Sequence, residues 1–148
     1  MIRKFFSVMV VGCLITLGVA TTGQAQLPPG TSVHASIPFD FIVRGRTLPA
    51  GTYELRRVSD TAETLIIRNV NDNHDLATFI TEPVQSRQIQ KHSELVFNRY
   101  GDSYFLSRIW DGGEQSGRAL PTSSEERHLK SEISSNQPKP ETVAVAIY

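Results

Sequence analysis

Four residues grouped around one tight turn could form a recognition surface: Arg99, Tyr100, Tyr104 and Trp110. Aromatic rings offer flat apolar faces, and arginine supplies a planar fork of donors. Exposed together on a sheet, they would make a platform for a sugar, a peptide or another subunit. Other reactive residue types are scattered. His34, His74, His92 and His128 do not pair at i+2 or i+4, and the only cysteine is Cys13. His74 stands beside Asp72 and Asp75, but the run from Asn71 to Asp75 reads better as a turn. It also lacks the glycine and the final glutamate of a calcium loop. No metal and no other cofactor is expected.

The sequence shows no catalytic arrangement. It contains no Gly-x-Ser-x-Gly elbow, no phosphate-cradling loop and no dinucleotide fingerprint. Glu125, Glu126 and His128 lie close together on a predicted helix, where a capped, solvated first turn explains them. A carboxylate pair for glycoside cleavage could be drawn from any of 15 acidic residues, so the acids carry no signal. No enzyme is expected.

Strands must hold these side chains. Val33, Ala35, Ile37, Phe39, Phe41 and Val43 place an apolar residue at every second position. That rhythm predicts a half-buried strand. Pro38 cannot donate to a ladder, so the strand is an edge or breaks into 33–37 and 39–43. Arg44-Gly45-Arg46 is a turn signal. Leu48-Pro49-Ala50-Gly51-Thr52 is a stronger one, a three-residue hairpin loop with Gly51 left-handed. The next strand, 52–58, should turn Tyr53 and Leu55 inward and Glu54 and Arg56 outward. Residues 64–70 and 76–80 read as a hairpin.

Pro83 to Ser93 reads as a surface loop with a helical turn. Strands follow at 95–99 and 104–110, joined through Gly101-Asp102, so that Phe97 faces Leu106 and Arg99 faces Tyr104. A short strand at 116–120 precedes a helix starting at Thr122 or Ser123 and running to about Ile133. Leu129 and Ile133 share one of its faces. Most aromatics, including Phe41, Tyr53, Phe79 and Phe97, fall at core positions. Tyr100, Tyr104, Phe105 and Trp110 cannot all share one face. The expected fold is all-β: an antiparallel sandwich or small barrel of seven or eight short strands, with one short C-terminal helix.

Compartment is read from the N-terminus. Arg3 and Lys4 precede an apolar run from Phe5 to Ala20, then a polar stretch with Gly23 and Ala25. This order predicts a signal peptide over residues 1–25, cleaved after Ala25. The run is about 16 residues, short of the roughly 20 of a span. Cys13 loosely fits a lipid-attachment box, but the apolar run continues past it, and a hydrophobe within the signal is the preferred reading. Residues 26–32 read as a flexible lead-in, 33–133 as the β-rich domain, and 134–148 as a linker followed by a terminal strand or a disordered tail.

The 123 residues after the signal suffice for a core without crosslinks, and they contain no cysteine. They carry 13 basic and 15 acidic residues, with no excess to hold nucleic acid and no polybasic patch for a membrane. Ten of those basic residues are arginines. Cross-strand ion pairs on solvated faces explain them, and an arginine-lined face for an anionic or sugar ligand is the alternative.

A resemblance covers about residues 33–130. It is carried by Ile37-Pro38-Phe39-Asp40-Phe41, Leu48-Pro49-Ala50-Gly51-Thr52-Tyr53 and Leu95-Val96-Phe97. Arg99-Tyr100-Gly101-Asp102, Tyr104-Phe105-Leu106-Ser107, Trp110, Gly117-Arg118, Leu120-Pro121 and Glu126-Arg127 extend it. The chain resembles a group of small, uncharacterised exported proteins found mainly in acidobacteria. The resemblance implies export and a compact β domain, and it carries no activity or functional residue.

The expected function is an exported, non-enzymatic binding or structural module whose partner is a cell-envelope protein or a glycan. A lipocalin-like carrier and a small glycan-acting enzyme are the alternatives. A tiny outer-membrane barrel ranks last, because these strands fall short of the roughly ten residues a span requires.

Overall fold

The alternating segment folds as two strands, β1 (Val33–Ile37) and β2 (Phe41–Val43), and the chain leaves the ladder at Pro38. The computed structural model describes residues 32–58, 63–72, 74–134 and 140–148. The expected signal peptide, Cys13, most of the lead-in and residues 135–139 lie outside the described residues.

Nine further strands are described. They are β3 (Arg46–Leu48), β4 (Gly51–Arg57), β5 (Thr64–Asn69), β6 (Asp75–Ile80), β7 (Glu82–Gln85), β8 (Glu94–Tyr100), β9 (Ser103–Trp110), β10 (Ser116–Ala119) and β11 (Glu141–Ala146). Helix α1 (Ser124–Ser134) lies between β10 and β11.

Eleven strands exceed the expected seven or eight. The additions are β3, expected within a turn region, and β7, expected within a loop with a helical turn. Both are short, and neither sequence, Arg-Thr-Leu or Glu-Pro-Val-Gln, has an apolar rhythm to announce it. Each pairs with a single neighbour at a sheet margin, β3 with β2 and β7 with β10. Residues 141–146, left between strand and tail, form β11 against β8.

The strands make two sheets. One has the order β1-β4-β5-β6, and the other β11-β8-β9-β10-β7, with β2 joined in parallel to β9. Both margins are sewn together. On one side, His34 N donates to Tyr148 O at 3.1 Å and Tyr148 N donates back to His34 O at 2.9 Å. On the other, β6 runs through Thr81 into β7, crossing from one sheet to the other. Thr81 N and Oγ1 both donate to Glu63 O, at 2.8 and 2.9 Å. The fold is thus an all-β sandwich, its two sheets joined by hydrogen bonds at the β1–β11 margin and by the chain itself at the β6–β7 margin.

One apolar cluster fills the interior. Ala35, Ile37, Tyr53, Leu55, Ile67 and Phe79 come from the first sheet, and Phe41, Val43, Leu95, Phe97, Leu106 and Ile109 from the second. Phe41 joins the two sets of rings, edge-on to Tyr53 at 5.1 Å and to Phe97 at 5.6 Å. Tyr53 and Leu55 point inward as their alternation predicts.

The turns correct one expectation. The tight hairpin turn is Arg44-Gly45, between β2 and β3, and both residues have positive φ, 52° and 76°. That double left-handed conformation matches the right-handed twist of the flanking strands. Pro49-Ala50-Gly51 is not a hairpin loop. β3 pairs with β2 and β4 with β1 and β5, so the chain crosses there from one sheet to the other. Gly51 opens β4 without a left-handed φ. Side chains fix this crossing: Ala50 N donates to Asp40 Oδ1 at 2.9 Å, and the Tyr53 hydroxyl donates to Pro49 O at 2.5 Å.

Candidate functional site

The hairpin β8–β9 carries all four candidate surface residues, but it distributes them over two faces and two ends. In register, Arg99 faces Tyr104, Phe97 faces Leu106 and Leu95 faces Ile109. Phe97, Leu95, Leu106 and Ile109 belong to the interior, so this row is the inner face. Tyr100, Phe105 and Trp110 belong to the outer face. The platform suggested by sequence proximity does not form, because strand alternation separates Tyr104 from Tyr100 and Trp110. A bulge separates them further. Val96 pairs with Arg108 and Phe97 with Leu106, leaving Ser107 unmatched. The Ser107 hydroxyl donates to Val96 O at 3.0 Å.

Arg99 and Tyr104 sit together near the turn. The guanidinium lies 5.4 Å from the Tyr104 ring centroid, a cation–π contact. Arg99 is already engaged twice more. Nε donates to Gly101 O at 2.9 Å, and Nη1 pairs with Glu141 Oε2 at 3.1 Å, across the β8–β11 register. Phe39 stacks on Tyr104 at 4.1 Å and meets Phe97 edge-on at 5.2 Å. The result is a braced corner. The pair Arg68–Glu54, 3.9 Å apart and opposed in the β4–β5 register, is a second cross-strand ion pair of the kind expected for these arginines.

Tyr100 is buried, not displayed. It lies under α1 with its ring edge-on to Phe105 at 5.8 Å. Its hydroxyl donates to Glu126 Oε1 at 3.3 Å, and Asn98 Nδ2 donates to the same oxygen at 2.8 Å. Burial pushes the Tyr100 phenol above its ordinary value, and the negative charge of Glu126 and the bond to it add to this. Sequence proximity missed Glu126, which is only 4% exposed. Ser123 is the N-cap, its Oγ accepting from Glu126 N at 3.1 Å. The spacing therefore located the helix start correctly, while the Glu126 carboxylate engages β8.

Trp110 stands at the far end of β9, half-buried and opposite Gly117 of β10. A Cβ built on Gly117 would come within 2.2 Å of the indole, so the missing side chain is what lets the ring lie there.

The histidines do not converge. His34 stacks on Tyr148 at 6.4 Å, and His128 sits 3.5 Å from Glu132 on α1. No cluster of three or more metal-ligating side chains occurs among the described residues.

Two arginines outside the hairpin hold inner-face register positions. Arg57 of β4 stands opposite Leu65 of β5, and Arg118 of β10 stands opposite Ile109 of β9. Both partners belong to the interior cluster, so both arginines occupy inward-facing positions on opposite sheets. Alternation from Tyr53 and Leu55 already puts position 57 on the inner face.

The fold is a β-sandwich with a packed apolar interior, buttressed on one outer face by a single helix. No protein-family model, curated protein or solved structure matches the chain.

Proposed function

We propose that this protein is an exported, non-enzymatic binding or structural module that acts through its outer surface and rims. The observation that carries the reading is the filled interior. Tyr53, Phe41, Phe79, Phe97, Ile37 and Ile67 are each less than 2% exposed between the two sheets. A lipocalin-like carrier needs an open apolar cavity, and these side chains occupy that volume. The export signal at residues 1–25 and the lack of a convergent catalytic set in the sequence support the same reading. Its partner is a cell-envelope protein or a glycan.

The test has two arms. The purified protein is titrated with a fluorescent fatty-acid probe and applied to a glycan array. The expected result is no saturable uptake of the probe and selective retention of a glycan class. Stoichiometric, saturable uptake of the probe would overturn the reading in favour of a carrier.

A further inference from the structure

We propose that the margin strand β6 is a docking edge for a second copy of this chain, joined antiparallel through Thr78 and Ile80 about a two-fold axis. This goes beyond the binding reading above and does not rest on it.

The hydrogen bonds fix which way β6 points. Thr81 N donates to Glu63 O at 2.8 Å, and the register that pairs Thr64 with Ile80 sets these two residues opposite one another. Bonding and non-bonding pairs alternate along an antiparallel ladder. Leu65–Phe79 and Ile67–Ala77 are therefore bonding pairs, and Thr78 and Ile80 turn their N–H and C=O groups away from β5. The bond from Val58 N to Thr64 O agrees, because it turns Thr64 toward β4.

β6 ends the order of its sheet, with no strand on its far side among the described residues. One outward carbonyl is taken, since Arg46 Nη1 of β3 donates to Leu76 O. A register shift falls beside it, opposite Ile67 and Arg68 of β5. Together they close the edge near Leu76 and leave Thr78 and Ile80 open.

Proteins blunt sheet edges with charge, proline or a covering element. β7 carries Glu82 and Pro83, and β1 is bridged through Ala35 to Ile147. β6 has neither device. Leu76 to Thr81 contains no charged residue and no proline, Thr78 is exposed, and Ile80 is 56% exposed. Outward N–H and C=O groups of this kind are a template for another strand.

Register and charge identify the occupant. Pairing Thr78 with Ile80 of the second copy, and Ile80 with its Thr78, lets each pair exchange both backbone bonds. The two Ile80 side chains then become diagonal neighbours and cover apolar surface that is otherwise wet. The same register sets Leu76 beside Glu82 of the second copy. Arg46, exposed and held on Leu76 O, thus meets an exposed carboxylate, and the two-fold axis repeats the contact at the other end. A guanidinium has donors enough for both partners. The open edge is short, so the dimer is weak and concentration-dependent.

The test is sedimentation velocity of the purified protein over a range of concentrations, with amide exchange read at each. The expected result is a reversible monomer–dimer equilibrium. The Thr78 and Ile80 amides should exchange freely when the protein is dilute and become protected as it dimerises, while Ala77 and Phe79 stay protected throughout. Ile80→Lys places a charge on the edge and should leave a monomer at every concentration. Its side chain is already exposed, so the fold should tolerate the change. Glu82→Arg should weaken association roughly tenfold, because like charges then meet twice. Adding Arg46→Glu should restore most of that loss. Should the Arg46 variant fail to fold, Ile80→Lys and the exchange pattern of the unmutated protein still decide.

A monomer at every concentration would overturn the proposal, as would a dimer that Ile80→Lys leaves intact. Thr78 and Ile80 amides protected at every dilution would show the edge already filled within one chain, and would overturn it too. The fatty-acid and glycan arms above are read independently of these outcomes.

Discussion

The second sheet buries residues on both of its faces, but by different means. Its inner face meets the first sheet through an apolar cluster in which rings contact rings. Part of its outer face, at the turn end of β8, is covered by one helix. There Val96, Tyr100 and Phe105 are each less than 9% exposed, beside a buried carboxylate. Dispersion and water exclusion hold the inside, and these do not depend on direction. Directional bonds from Asn98 and Tyr100 to Glu126 hold the outside. The inside therefore sets how stable the sandwich is, and the outside sets where the helix sits.

The inner cluster gives the largest expected effect. Phe97 is fully buried and touches both Phe39 and Phe41 edge-on. Phe97→Ala removes a ring that joins the rim corner to the centre. The expected loss is about 3–5 kcal/mol of unfolding free energy, read from urea melts. A loss below about 1 kcal/mol would mean that the interior collapses around the gap, and the contrast between the faces would fail.

Glu126→Ala tests the outer face. It leaves Asn98 Nδ2 and the Tyr100 hydroxyl without their acceptor under the helix. Leaving such donors unpaired costs about 1–3 kcal/mol. Amide exchange should quicken along α1 while β4 and β5 stay protected. A loss matching that of Phe97→Ala, with exchange quickened throughout, would show one cooperative unit in place of two differently built faces.

The same contrast explains what the sequence could reveal. The inner faces were legible wherever strands are long enough for alternation to repeat, as at 33–43, 52–58 and 95–110. The pairing of Phe97 with Leu106 and of Arg99 with Tyr104 followed from the Gly101-Asp102 turn alone. The helix start followed from the spacing of Ser123 and Glu126. Illegible were the features set by the path of the chain between sheets. β3 and β7 are too short to show a period. The crossing at Pro49-Ala50-Gly51 resembles a hairpin loop because it uses the same residue types.

The candidate site was the least legible part. Proximity in sequence suggested a platform from Arg99 to Trp110, and the bulge at Ser107 and the two-residue period divided it. Glu126 read as a solvated acid because the strand residues that receive it lie 26 and 28 positions away.

The smallest expected effect concerns one bond on the outer face. Tyr100→Phe keeps the ring against Phe105 and removes the hydroxyl, leaving Glu126 with Asn98. At neutral pH the loss should be about 0.5–1.5 kcal/mol. Alkaline pH sharpens the test. The folded-state phenol lies above its ordinary value of 10.0, so above that pH the unfolded chain releases this proton before the folded one does. The stability it contributes is complete below 10.0 and is lost as the pH rises toward the folded value. Burial raises the Tyr53 phenol in the same direction, opposed by its bond with Asn69 and reinforced by Asp40 and Asp72. The unmutated protein should therefore lose stability above pH 10 through both tyrosines, and Tyr100→Phe through Tyr53 alone. The two stability curves should converge as the pH rises, read from urea melts between pH 8 and about 11. Parallel curves would mean that Tyr100 ionises as freely in the folded protein as in the unfolded chain, and that the helix does not cover it.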